Sequence, residues 1–319
     1  MRENRKYRGW DKIIQLIGGG LILVGIFAAM VGPLEVYTYY LFSSGGKFHY
    51  AGFEFGSFMF ANITIQVAGY YAIALVCIPL GYGHLKLHRW SRKIALTILW
   101  DWLVLGLPLS VILFLMLLTS KDLPPGSLPL LGLAFVVIYP VLPGLLIKFY
   151  RSANVRHAFQ HKDGDEGWFE QTPQAVLVLG SLMIFFIGAL HIPLLFNGIF
   201  PVFGIFSFGL EGVLLIDLSV FLLIVLTWGV LGKRRWAWWG SVAYFVLMIL
   251  STTITFLKIH PKDILAQMKF AQFEQNILKN VPVQGIHFVV LIVLPLVITL
   301  VILITSRKYF QSNKIELSM

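Results

Sequence analysis

The chain alternates between long apolar runs and short polar stretches. Eight runs are long enough to matter, at residues 13–36, 58–80, 94–118, 128–149, 175–196, 210–231, 236–257 and 286–305. A helix needs about 20 predominantly apolar residues to cross a hydrocarbon core of about 30 Å. Backbone N–H and C=O groups cannot be left unpaired in lipid, so runs of this length predict helices. The predicted fold is an all-α integral membrane protein with eight transmembrane helices.

Composition agrees. The 319 residues are 58% hydrophobic and only 13% charged, with a mean hydropathy of +0.81. Soluble domains carry roughly 25% charged residues. The single cysteine, Cys77, lies in an apolar run and has no partner for a disulfide or a metal. The basic N-terminus leads into an apolar stretch from about Ile13 to Phe42, longer than the roughly 7–15 residues of a signal-peptide core. It is expected to be a retained first span.

The net charge of +10 does not point to nucleic acid here. What counts in a polytopic chain is where the cations lie. If the N-terminus is cytoplasmic, the inner connections hold 19 of the 25 Lys and Arg residues. That bias predicts that both termini are cytoplasmic, and the expected location is a bacterial inner membrane, crossed many times.

The two richest inner connections also match each other. Gly83, Leu85, Arg89 and Trp90 recur as Gly229, Leu231, Arg235 and Trp236 at a constant offset of 146. A second match sets "FVVIYPVLP" at 135–143 against "FVVLIVLP" at 288–295, offset by 153, or 152 after a one-residue gap. Four spans per repeat is an even number, so the expected architecture is two parallel four-helix repeats. The predicted organisation is a first repeat over 1–150, a polar cytoplasmic linker over 151–174 and a second repeat over 175–319. Arg89, Trp90, Arg235 and Trp236 read as membrane-interface anchors. "GGG" at 18–20 with Gly25 suggests close helix packing.

Candidate chemistry is sparse. There is no HExxH, GxSxG, P-loop or CxxC motif, so an enzyme is not the expected reading and no cofactor follows. His84 and His88 are four residues apart in a basic loop and read as a solvated pair. His157 and His161, beside Asp163, Asp165 and Glu166, make only a weak metal candidate. Ionisable groups inside spans are costly, about 2.5–3.5 kcal/mol each at the centre, and are candidate functional residues by default. Asp101 lies eight residues past Lys93, about 12 Å along the helix. A Lys, an Arg or an indole is its expected partner. Glu35, Glu54, His191, Glu211 and Asp217 map near the outer side, with Asn62 and Gln66 on one face of the second span. Glu35 follows Pro33, where the first helix is expected to kink or end.

The expected ligand or cation site therefore comprises Asp101, His191, Glu211, Asp217, Glu35, Asn62 and Gln66, lining an outward-facing cavity between the halves. Two functions fit: a transporter or channel-like protein for a small ligand or cation, or a non-catalytic membrane subunit. A subunit would meet its membrane partner through the 151–174 linker or the outer segment 258–285, where an amphipathic helix is expected near 262–279. The uncharged stretch "NGIFPVFGIFSFG" is expected to lie in the outer leaflet or over the helices.

Overall fold

The computed structural model describes residues 3–50, 52–53, 57–119, 126–160, 167–259, 270, 272, 274–276 and 285–311. Eight helices among them are long and apolar enough to cross a membrane. They are α1 (Glu3–Phe42), α2 (Phe58–Leu85), α3 (Arg89–Thr119), α4 (Ser127–Arg151), α5 (Gln174–Ala189), α6 (Gly209–Leu231), α7 (Arg235–Lys258) and α8 (Gly285–Thr305). A 3-10 turn, Ile192–Phe196, extends α5. Most of the expected 262–279 helix falls outside the described residues, as do His161, Asp163, Asp165 and Glu166.

The chain forms two compact units. One comprises Met1–Leu99 and Leu145–Thr172, the other Trp100–Gly144 and Pro173–Met319. The boundary passes through α3 and α4.

In the first unit, α1 lies along α2. Ile14, Gly18, Gly25, Ala28 and Gly32 recur at heptad-like spacing and are all buried. Apolar surface gains little by leaving lipid for protein, so spanning helices associate through close backbone packing. Gly18 and Gly81 form the tightest point: a Cβ on Gly18 would sit 2.8 Å from the Gly81 carbonyl oxygen, and one on Gly81 would sit 2.6 Å from that of Gly18. Gly19 and Gly20 meet nothing within 4 Å, so only the first glycine of the GGG run belongs to the seam. Of the two outcomes expected at Pro33, a kink or an end, α1 does not end there but runs on to Phe42. Proline removes one intrahelical hydrogen bond, and spanning helices tolerate that loss.

His84 departs from expectation. It is fully buried, not solvated. Its Nδ1 lies 2.7 Å from the Leu80 carbonyl and its Nε2 2.7 Å from the Tyr150 hydroxyl. The ring also meets Phe159 edge-on at 5.4 Å. The basic connection around it does more than face water. Arg92 Nε donates to Tyr150 O at 2.9 Å, and Arg89 donates to Gln160 O at 3.0 Å. Lys93 Nζ reaches three carbonyls, those of Phe169, Glu170 and Thr172, at 2.5–2.8 Å. These cations satisfy backbone carbonyls at the end of α4 and in the segment after it, which includes the short helix Ala153–Gln160.

The α2–α3 and α6–α7 turns close alike. Leu87 (φ 56°) and Lys233 (φ 54°) are both left-handed. His88 N donates to Gly83 O and Arg234 N to Gly229 O, each at 2.8 Å. A Cβ on Gly83 would strike the Trp90 indole, and one on Gly229 would strike Trp236. The α4 and α8 helices each contain one π-helical turn, Val137–Val141 and Val289–Val293.

In the second unit α5, α6, α7 and α8 share a core that includes Leu179, Met183, Leu223, Phe245 and Leu303. Trp238 is buried there and donates to Leu303 O at 2.8 Å, while Arg307 lies over its ring. The phenylalanine-rich stretch holds the fold's one departure from all-α among the described residues. It forms a hairpin of β1 (Phe200–Val202) and β2 (Ile205–Ser207). Phe203 and Gly204 make the turn with positive φ, as two-residue hairpin turns require. The hairpin packs over α7: Phe203 N donates to Ser251 Oγ at 3.0 Å and Gly204 N to Thr255 Oγ1 at 2.9 Å.

Gly18→Val should destabilise the first unit by about 1–3 kcal/mol, the usual cost of overpacking, whereas Gly20→Val should be nearly neutral. Thermal unfolding of both variants in one detergent checks this. Equal melting temperatures would contradict the seam.

Candidate functional site

At the C-terminal end of α1 and the N-terminal end of α2, a cavity of about 440 Å³ opens in the first unit. Its lining includes Glu35, Thr38, Asn62 and Gln66, with Phe42, Tyr50 and Phe53 as aromatic walls. Three of the seven expected site residues therefore meet here. Glu35 lies on the last turns of α1. Asn62 and Gln66 follow each other on one face of α2, four residues apart.

Local folding builds this site. Ser57 caps α2 by accepting from Phe60 N at 3.0 Å. The chain leaving α1 doubles back: Phe48 N donates to Leu41 O and Tyr50 N to Phe42 O, both at 3.0 Å. Tyr39 Oη donates to Phe53 O at 2.8 Å, fixing the return. These bonds gather a cluster in which the Phe42 ring lies 5.4 Å from Tyr50 and 5.6 Å from Phe53. Thr38 donates to Leu34 O within its own helix. The side chains of Glu35, Asn62 and Gln66 form no hydrogen bond among the described residues. Glu54 lies outside the described residues.

The aromatic walls are absent from the sequence expectation. A signal was present: Phe42, Phe48, Tyr50 and Phe53 crowd one short connection. It gave no sign that the connection folds back on α1.

The other four candidates belong to the second unit. Asp101 on α3 accepts a hydrogen bond from Ser181 Oγ of α5 at 2.5 Å. Its other oxygen, Oδ1, is buried without a hydrogen-bond partner among the described residues. The expected Lys, Arg or indole is replaced by a serine hydroxyl, and Val104, Val178 and Leu182 pack nearby. His191 is exposed, with Nδ1 2.7 Å from Ile187 O, which makes that nitrogen the donor. Glu211 and Asp217 are exposed on α6 and form no hydrogen bond or ion pair among the described residues. No group of three or more His, Cys, Asp or Glu residues among those described is placed to hold a metal ion.

Of the interface anchors, Trp90 and Trp236 sit over their turn glycines, and Arg235 is exposed. Comparison with protein families, with characterised proteins and with solved structures finds no match. Any functional reading therefore rests on the geometry.

Ser181→Ala should cost about 1–2 kcal/mol of stability by stripping a partner from a largely buried carboxylate. In an Asp101→Leu background the same change should cost little. A double-mutant cycle on thermal unfolding tests the pair, and additive effects would count against it.

Proposed function

We propose that the chain is a membrane transporter or channel-like protein that takes up a small organic cation, an amine or ammonium ion, through the cavity in its first unit. The carrying observation is the chemistry of the cavity lining: one carboxylate, Glu35, set among Phe42, Tyr50 and Phe53. Aromatic faces attract a cation by about 0.5–2 kcal/mol each. A carboxylate supplies the counter-charge, and the Asn62 and Gln66 carboxamides accept N–H donors. An inorganic cation would use the oxygen ligands but would gain little from three aromatic walls.

The cation distribution along the sequence supports an extracytoplasmic opening, with both termini cytoplasmic. The matched turns at Leu87 and Lys233, and the π-helical turns in α4 and α8, support two parallel four-helix repeats. In that arrangement the cavity belongs to the first repeat. Asp101, His191, Glu211 and Asp217 are not needed for binding at this cavity.

Tetraethylammonium should bind the full chain in nanodiscs, and Glu35→Gln should weaken that binding at least tenfold. Tetraethylammonium has no N–H, so its attraction to Glu35 is Coulombic: unit charges about 4 Å apart near a protein surface attract by about 4 kcal/mol, and a tenfold change needs only about 1.4 kcal/mol. Calorimetric titration measures both, and proteoliposome uptake of the same ion reports transport. Unchanged affinity in Glu35→Gln would remove the basis of the proposal.

A further inference from the structure

One side of α6 is buried through Gly212, Ile216, Ser219, Leu223, Leu226 and Val230. Another side presents a regular exposed stripe: Leu210, Leu214, Asp217, Phe221, Ile224 and Trp228. Their spacing alternates four and three residues, the pattern of a helix seam that packs against one further helix. Leu210 is 75% exposed, Phe221 62% and Trp228 69%. Lipid alone would accept the five apolar members. It does not accept the sixth.

Asp217 lies eight residues inside α6 from Gly209, about 12 Å along the helix axis. With the hydrocarbon boundary placed at the start of the apolar run, a carboxylate at that depth is too far in for its short side chain to reach the headgroups. Charged residues within spans face a partner or a water-filled space, because hydrocarbon leaves them unsatisfied. Asp217 has no hydrogen bond or ion pair among the described residues.

We propose that this stripe docks a transmembrane helix of another protein, one that carries a lysine or arginine at the depth of Asp217. Charge complementarity selects this occupant. A second copy of the chain does not fit. With the first span taken as Gly9–Phe42, every Lys and Arg within the eight spanning segments lies in the first or last five residues of its segment, so no span of a second copy offers a cation at that depth. Symmetric pairing of two α6 helices would instead oppose two Asp217 carboxylates. The apolar members supply packing along about five turns. The ion pair sets register and partner choice, as single polar residues do in helix seams. This surface lies on the second unit and is independent of the cation cavity.

The test uses the full chain, donor-labelled, in phosphatidylcholine vesicles with acceptor-labelled host helices of leucine and alanine. One host carries a single arginine about 12 Å from the end on the Asp217 side, another leucine there, and a third glutamate. Energy transfer should show at least tenfold tighter association with the arginine helix than with the leucine helix. Asp217→Asn should abolish that preference and Glu211→Gln should keep it. Asp217→Lys should move the preference to the glutamate helix, a gain that misfolding cannot mimic. Equal association of wild type with the arginine and leucine hosts would overturn the proposal. So would a preference that survives Asp217→Asn, or self-association of the chain that Asp217→Asn abolishes.

Discussion

Close approach of α1 to α2 at Gly18 and Gly81 is the constraint on which the candidate site depends. Each glycine backbone fills the space that a Cβ on the other would need. Such contact is what lipid leaves available for holding helices together, since apolar surface gains little by leaving one hydrocarbon setting for another. The seam continues through Gly25 and Ala28 to Gly32, which faces Tyr71. One heptad-like stripe thus fixes the rotation of α1 along its length. That rotation sets Glu35 in the same cavity as Asn62 and Gln66. If α1 stopped at Pro33, the carboxylate and Phe42 would have no rigid support.

The same constraint explains how polar groups are handled elsewhere. Within the spans, several find a partner in the protein. Trp238 donates to Leu303 O, Ser251 and Thr255 accept from the hairpin turn, and Ser181 donates to Asp101. Near the cytoplasmic ends proposed for α2, α3 and α4, cations satisfy carbonyls instead, most fully at Lys93. Asp217, exposed on α6, has no such partner among the described residues, and neither do Glu211 and the cavity residues Glu35, Asn62 and Gln66.

Spans were the most legible feature, because a hydrocarbon core sets length and apolarity together. The expected limits of 210–231 and 286–305 differ from α6 and α8 by no more than one residue at either end. The β-hairpin was not legible: two three-residue strands are below the length at which alternation carries information, and the "FG" turn gives a weak signal alone. His84 was misread because a basic neighbourhood suggested water, while its burial comes from Tyr150, 66 residues away. Glu35, Asn62 and Gln66 were legible because polar residues in apolar runs are conspicuous. Phe42, Tyr50 and Phe53 were not, since aromatic residues near a membrane boundary are common. Ser181 was hidden by its small size in an apolar run.

The central claim is a cation-selective aromatic cavity open to the extracytoplasmic side. It is tested most directly by thiol accessibility in intact cells at Asn62→Cys and Gln66→Cys, each in a Cys77→Ser background. A membrane-impermeant trimethylammonium thiosulfonate should modify both positions faster than a sulfonate reagent of similar size, and tetraethylammonium should protect them. Faster reaction of the anionic reagent, or no reaction from outside, would contradict the account.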